Sequence, residues 1–186
     1  IIAEECESIL ANHFDSKSAL VFGSGYVANL GLLSSILQRG DVVFYDQYIH
    51  ASSRDGIRLS LADSVSFRHN NLKDLSNKLS KKRSQSNYVL VESLYSMDGD
   101  LAPLNEIASI CDKYNAYLIV DEAHAGGVYG EMGKGLCFEN KILSKVFARI
   151  ITFGKAYGFH GAAVLGSEIL KEYLINFSRS FIYSTA

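Results

Sequence analysis

The sequence predicts an α/β fold, a mostly parallel seven-stranded sheet flanked by helices. Short β-rich runs alternate with helical patterns along the 186 residues, and glycine-rich polar clusters fall just behind several of those runs. Open α/β sheets bind their ligands at the carboxyl ends of strands, so both observations point the same way. Composition agrees: 48% hydrophobic and 20% charged residues with a single proline describe a chain able to enclose a core.

In chain order, an amphipathic helix opens the sequence, with Ile2, Cys6, Ile9, Leu10 and His13 on or near one face. Strands are expected at 18–22 (SALVF), 41–45 (DVVFY), 64–68 (SVSFR), 87–91 (NYVLV), 116–120 (AYLIV), 149–153 (RIITF) and 162–166 (AAVLG). Most of these runs are rich in the β-branched and aromatic residues that suit a pleated surface. Helices are expected near 26–38, 50–61, 71–82, 103–114 and 167–178. In the fourth, Pro103 suits a first helical turn and Leu104, Ile107, Ala108 and Cys111 form an apolar stripe.

No repeat or linker interrupts this pattern, so residues 1–186 read as one domain. The start inside a helix without Met, and the abrupt end at FIYSTA, suggest a large domain cut at both ends. Eighteen basic against twenty acidic residues give a net charge of −2, which disfavours nucleic acid or an anionic membrane as partner. The basic run 81–83 reads as solvated surface. Cys6, Cys111 and Cys137 are widely spaced, without a CxxC pair; they read as free buried thiols in a reducing cytosol, and no metal-ligand spacing appears. The N-terminus is acidic where a signal peptide is basic, and no apolar stretch reaches the roughly 18 residues of a membrane span. A cytoplasmic protein is expected.

Three clusters carry chemistry. GSGYVA (23–28) follows a strand and opens a helix, with Asp46 behind the next strand. Such glycines let backbone N–H groups approach an anion, so a dinucleotide, a single phosphate and a plain turn all remain open. In IVDEAHAGGVYG (119–130), Asp121 ends an apolar strand and His124 follows. A strand-end carboxylate is well placed for a cationic partner. DEAH also occurs in helicases, but the GxxxxGK[ST] loop they need is absent from the chain. In ITFGKAYGFHG (151–161), Thr152 and Lys155 close a strand among glycines. A phosphate-cradling turn, a strand-end Asp and a lysine in a crowded setting together match what pyridoxal 5′-phosphate requires.

At these residues the chain resembles the α-oxoamine synthase family of fold-type I pyridoxal-phosphate enzymes. The likeness runs in order through ALVFGSGYVANLGLL (19–33), DQYIHAS (46–52), VESLYSMDGDLAPL (91–104), IVDEAHAGGVYGE (119–131), ITFGKAYG (151–158) and FIYST (181–185). It implies the large domain of an aspartate aminotransferase-like transferase, with a small C-terminal domain outside this sequence. Lys155 is then the lysine that holds the cofactor and moves the substrate's Cα proton, Asp121 the partner of the pyridine nitrogen, and His124 a hydrogen-bonding partner of the 3′-oxygen. His50 would stack on the ring, Gly25, Tyr26 and Thr152 would hold the phosphate, and Ser96 would touch the cofactor. Glu92 shares that serine's motif and is a further active-site candidate. Ser184 and Thr185 would reach the phosphate of a neighbouring subunit, which implies a homodimer with shared sites.

The reaction implied is decarboxylative condensation of an amino acid with an acyl-CoA or acyl carrier protein thioester. The closest likeness is to the branch that joins L-alanine to a pimeloyl thioester for biotin; glycine- or serine-using branches share the cofactor motifs. Phe159 and His160 stand where small residues are usual in the family, which makes them candidates for shaping the substrate pocket. His69 with Asn70 reads as a structural loop pair. The alternatives from other classes are a nicotinamide-dependent oxidoreductase, resting on GSGYVA and Asp46, and a remnant that keeps the fold without the chemistry.

Overall fold

The structure, a computed structural model, describes residues 2–81 and 84–182. Its strands are β1 (Ser18–Phe22), β2 (Val42–Asp46), β3 (Asp63–Phe67), β4 (Asn87–Glu92), β5 (Ala116–Asp121), β6 (Val146–Thr152) and β7 (Ala162–Gly166). Its α-helices are α1 (Ile2–His13), α2 (Gly25–Ile36), α3 (Ala51–Leu59), α4 (Leu72–Leu79), α5 (Leu104–Tyr114), α6 (Leu136–Glu139) and α7 (Glu168–Phe177). The strands form one sheet in the order β1-β7-β6-β5-β4-β2-β3. All neighbours along β6-β5-β4-β2-β3 are parallel, and β7 alone runs antiparallel to both of its partners. The expected mostly parallel sheet is therefore present.

Alternation along the central strands sorts the core into two layers. Val43, Leu90, Ile119 and Ile150 point to the face covered by α2, α3 and α7, where Leu32, Leu33, Ile57 and Leu174 meet them. Val42, Phe44, Val89, Val91, Leu118 and Val120 point to the other face, covered by α4 and α5 through Leu75, Leu79, Leu104, Ile107 and Cys111. Both faces are buried, which is why these strands read as continuous apolar runs.

Three expectations need correction. In α1 the buried residues are Glu7 and Ala11, whereas Ile2 and Ile9 are exposed. The inward side combines Glu7, which accepts the Val21 N–H at 3.0 Å and pairs with Lys171 at 2.8 Å, with Leu10 and Ala11, which pack with Phe14 against the sheet. Cys6 is likewise exposed, while Cys111 and Cys137 are the buried thiols. Pro103 stands at the N-cap of α5, one position ahead of the first turn. Among the described residues no helix is long and apolar enough to cross a membrane, and no group of three or more His, Cys, Asp or Glu side chains is placed to hold a metal ion.

Candidate active site

Parallel strand order brings the chemistry together. Glu92 and Asp121 are the last residues of neighbouring β4 and β5 and face each other in register, and Thr152 ends the next strand, β6. Helix α2 begins beside them. Ser24 caps it, accepting the Val27 N–H at 3.2 Å, and leaves the N–H groups of Gly25 and Tyr26 without an intrahelical acceptor. Helix and strand end approach closely here: a Cβ on Gly25 would stand 3.3 Å from Thr152 Oγ1.

These elements enclose a cleft of about 160 Å³ lined by Gly25, Tyr26, His50, Glu92, Asp121, His124, Thr152 and Lys155, all singled out from the sequence. Asn29, Ser52, Ala123 and Ile150 complete the lining and had escaped sequence reasoning. Asn29 did leave a signal, since it lies one helical turn beyond Gly25 as the lone amide in an apolar run. Ser96 is exposed and borders a separate depression with Tyr48, Arg54 and Tyr95. Phe159 and His160 are exposed and lie outside the cleft lining. Ser184 and Thr185 lie outside the described residues.

Asp121 is 4% exposed, and each of its oxygens accepts one N–H: Oδ1 from the Ala123 backbone at 2.9 Å, Oδ2 from Asn29 Nδ2 at 2.8 Å. Those donors aim the carboxylate into the cleft. Lys155 sits in the turn between β6 and β7, its Nζ 2.7 Å from His124 Nε2. Burial lowers the pKa of both groups, and for His124 the Lys155 charge adds to the effect. Asp121 and Glu92 act on Lys155 in the opposite sense, short of cancelling the shift. The lysine is thereby eased toward the amine form that attacks carbonyl carbon. Burial, then the neighbouring Asp121 charge, pushes the Glu92 carboxyl up to about 7.

Asp46 is turned away from this chemistry. It is fully buried, accepts the N–H groups of Tyr48 and Asn70 at 2.8 and 2.9 Å, and pairs with His69 at 3.0 Å. With its oxygens committed, it is not available to a ribose, which removes the main support for the nicotinamide reading. His69 also reaches Asp100 at 2.6 Å and stacks on Tyr48, the structural loop role its sequence context suggested.

Comparison with known proteins places this geometry in context. A family model described as aminotransferase class I and II matches residues 2–186. The chain is 42% identical over 198 residues to an 8-amino-7-oxononanoate synthase of Emericella nidulans, covering 99% of this chain and 48% of that protein. A solved serine palmitoyltransferase from S. paucimobilis with a PLP–myriocin aldimine bound is 33% identical, with a TM-score of 0.93 over 98% of this chain and 46% of that one. An 8-amino-7-oxononanoate synthase from Francisella tularensis is 36% identical, with a TM-score of 0.87 over 99% of this chain and 53% of that one. The chain thus spans about half the length of the relatives it matches.

Proposed function

Because the chain belongs to the class I and II aminotransferase family, a pyridoxal-phosphate-dependent family, we propose that it is the cofactor-binding domain of an α-oxoamine synthase. The observation that carries the reading is the placement of Lys155 against His124 at a cleft whose buried wall holds Asp121. The reaction proposed is condensation of L-alanine with pimeloyl-CoA or a pimeloyl carrier protein, giving 8-amino-7-oxononanoate, free CoA or carrier protein, and carbon dioxide, in biotin synthesis. The names of the sequence relatives support that choice. The likeness to serine palmitoyltransferases favours a second reading, in which serine and a longer acyl thioester are used. A cytoplasmic homodimer with shared sites completes the proposal.

The residues present fit the cofactor. The free N–H groups of Gly25 and Tyr26, with the Thr152 hydroxyl beside them, suit a phosphate at the positive end of α2. Asp121 supplies the buried carboxylate that a protonated ring nitrogen needs, and Lys155 the amine that an aldehyde needs. When bound, pyridoxal phosphate acts as an electron sink for negative charge at the amino acid Cα. Asp121 would hold the proton on the ring nitrogen, its orientation fixed by Asn29 and Ala123. Lys155 would take the Cα proton once released from the cofactor and later return it, with His124 as its hydrogen-bonding neighbour. His50, at the cleft mouth, would cover the ring and border the incoming thioester. Ser96 and, from the neighbouring subunit, Ser184 and Thr185 would add contacts to the cofactor.

Borohydride reduction of the protein with pyridoxal phosphate tests this directly. A pyridoxyl group mapped to Lys155, and lost in Lys155→Ala, is the expected result; unchanged labelling in that variant refutes the assignment. Alanine and serine, each with pimeloyl and palmitoyl thioesters, then separate the two substrate readings.

A further inference from the structure

A directed hydrogen-bond chain crosses the floor of the cleft, running from Asp121 through Asn29 and Ser52 to His50. Asn29 is 3% exposed and Ser52 1% exposed. Asn29 Nδ2 donates to Asp121 Oδ2 at 2.8 Å and to Ser52 Oγ at 3.1 Å; Ser52 Oγ lies 2.7 Å from His50 Nδ1, and the Ser52 backbone N–H donates to the same nitrogen at 3.2 Å.

The direction of every link follows from the first. An ionised carboxylate only accepts, so the atom of Asn29 facing Asp121 is the amide nitrogen, and both of its hydrogens are used. Ser52 Oγ therefore receives one hydrogen from Asn29 and has its own to give. That hydroxyl is the stronger donor to His50 Nδ1, at 2.7 Å; the Ser52 N–H at 3.2 Å adds a weaker one, so the nitrogen carries no proton. The imidazole proton is left on Nε2.

We infer that Asn29 and Ser52 are positioning residues that hold His50 as its Nε2–H tautomer and couple its orientation to Asp121. His50 then enters the cleft as a hydrogen-bond donor, suited to a substrate carboxylate or carbonyl oxygen. That catalytic meaning rests on the function proposed above; the tautomer itself does not. Helix packing makes the chain possible: at Gly56 a Cβ would stand 2.9 Å from Leu33 Cβ and 3.0 Å from the Asn29 carbonyl oxygen, so α3 lies close enough to α2 for Ser52 to reach Asn29.

The test is long-range ¹H–¹⁵N correlation on ¹⁵N-histidine-labelled protein, with His50 assigned by its loss in His50→Gln. The wild type should show His50 as Nε2–H alone. Ser52→Ala and Asn29→Ala should each populate the second tautomer, and Ser52→Thr, which keeps the hydroxyl, should restore the first. Assayed with cofactor, Ser52→Ala should lose about tenfold in kcat, the worth of one hydrogen bond, while still forming the Lys155 adduct. An Nδ1–H signal in the wild type, or a His50 spectrum unmoved in both alanine variants, overturns the inference. Failure of Lys155 to label, with the tautomer as expected, overturns the proposed function and leaves the positioning intact.

Discussion

At the scale of single residues, Glu92 is the group most at odds with its surroundings. It is 4% exposed beside Asp121, and its carboxyl is raised from 4.5 to about 7. A raised acid pKa means that the native state holds a proton the unfolded chain releases, so stability falls as pH rises between those two values. The shift corresponds to roughly 3 kcal/mol when the titration is complete. Glu92→Gln removes the titration and keeps the shape. Urea denaturation at pH 5 and pH 8 should therefore show the variant gaining on the wild type by roughly 2–3 kcal/mol at the higher pH. Parallel pH dependences would mean that Glu92 is ionised throughout. Glu92, Lys155, Asp121 and His124 were legible as candidates because each stands in a compact motif at a strand end. Asn29 and Ser52 were not, since an amide and a hydroxyl inside helices look like ordinary polar residues until their partners are known.

At the scale of elements, the site depends on how closely α2 and α3 approach. Gly56 lies in the middle of α3, where alanine would favour the helix by about 1 kcal/mol on propensity alone. The contacts with Leu33 and the Asn29 carbonyl act against it, since neither a Cβ nor a backbone oxygen can swing aside. Overpacking of this kind typically costs about 1–3 kcal/mol. Gly56→Ala should accordingly destabilise the protein despite its better propensity, as measured by urea midpoint; a neutral or stabilising effect would show that the helices part without strain. The strands needed no such detail to be located, because seven runs of the right composition already marked them to within three residues of their ends. Helix α6 and the short turns around it, between residues 131 and 145, carry too few residues for any period to show.

At the scale of the whole molecule, Arg149 ties together segments far apart in sequence. Buried in β6, it donates to the Phe14 and Lys134 carbonyls and pairs with Glu122 at 3.3 Å, the last being fully buried. Glu122 in turn accepts the Cys137 N–H at 2.9 Å, which anchors the start of α6. Burial raises the Glu122 pKa, and the Arg149 charge opposes that rise. Removing one partner of a buried pair strands the other, at about 3–5 kcal/mol. Arg149→Leu should lose stability of that order by urea denaturation, and adding Glu122→Gln, which deletes the stranded charge, should recover part of it. An effect near zero would mean that water reaches Glu122 in the variant.

The amino-acid sequence by itself determined the element types, the sheet class and the strand-end positions of the reactive groups. Those depend on local propensity, on apolar runs and on motif spacing, all of which act over a few neighbouring residues. Only the tertiary structure decided which face of α1 turns inward, because the partners that select it, the Val21 N–H for Glu7 and the apolar cluster for Leu10 and Ala11, lie on the strands of the sheet, outside the helix. It also decided that Asp46 serves the loop around His69 while Asp121 serves the cleft. Both are carboxylates at parallel strand ends, and what separates them is the set of donors that the fold brings to each.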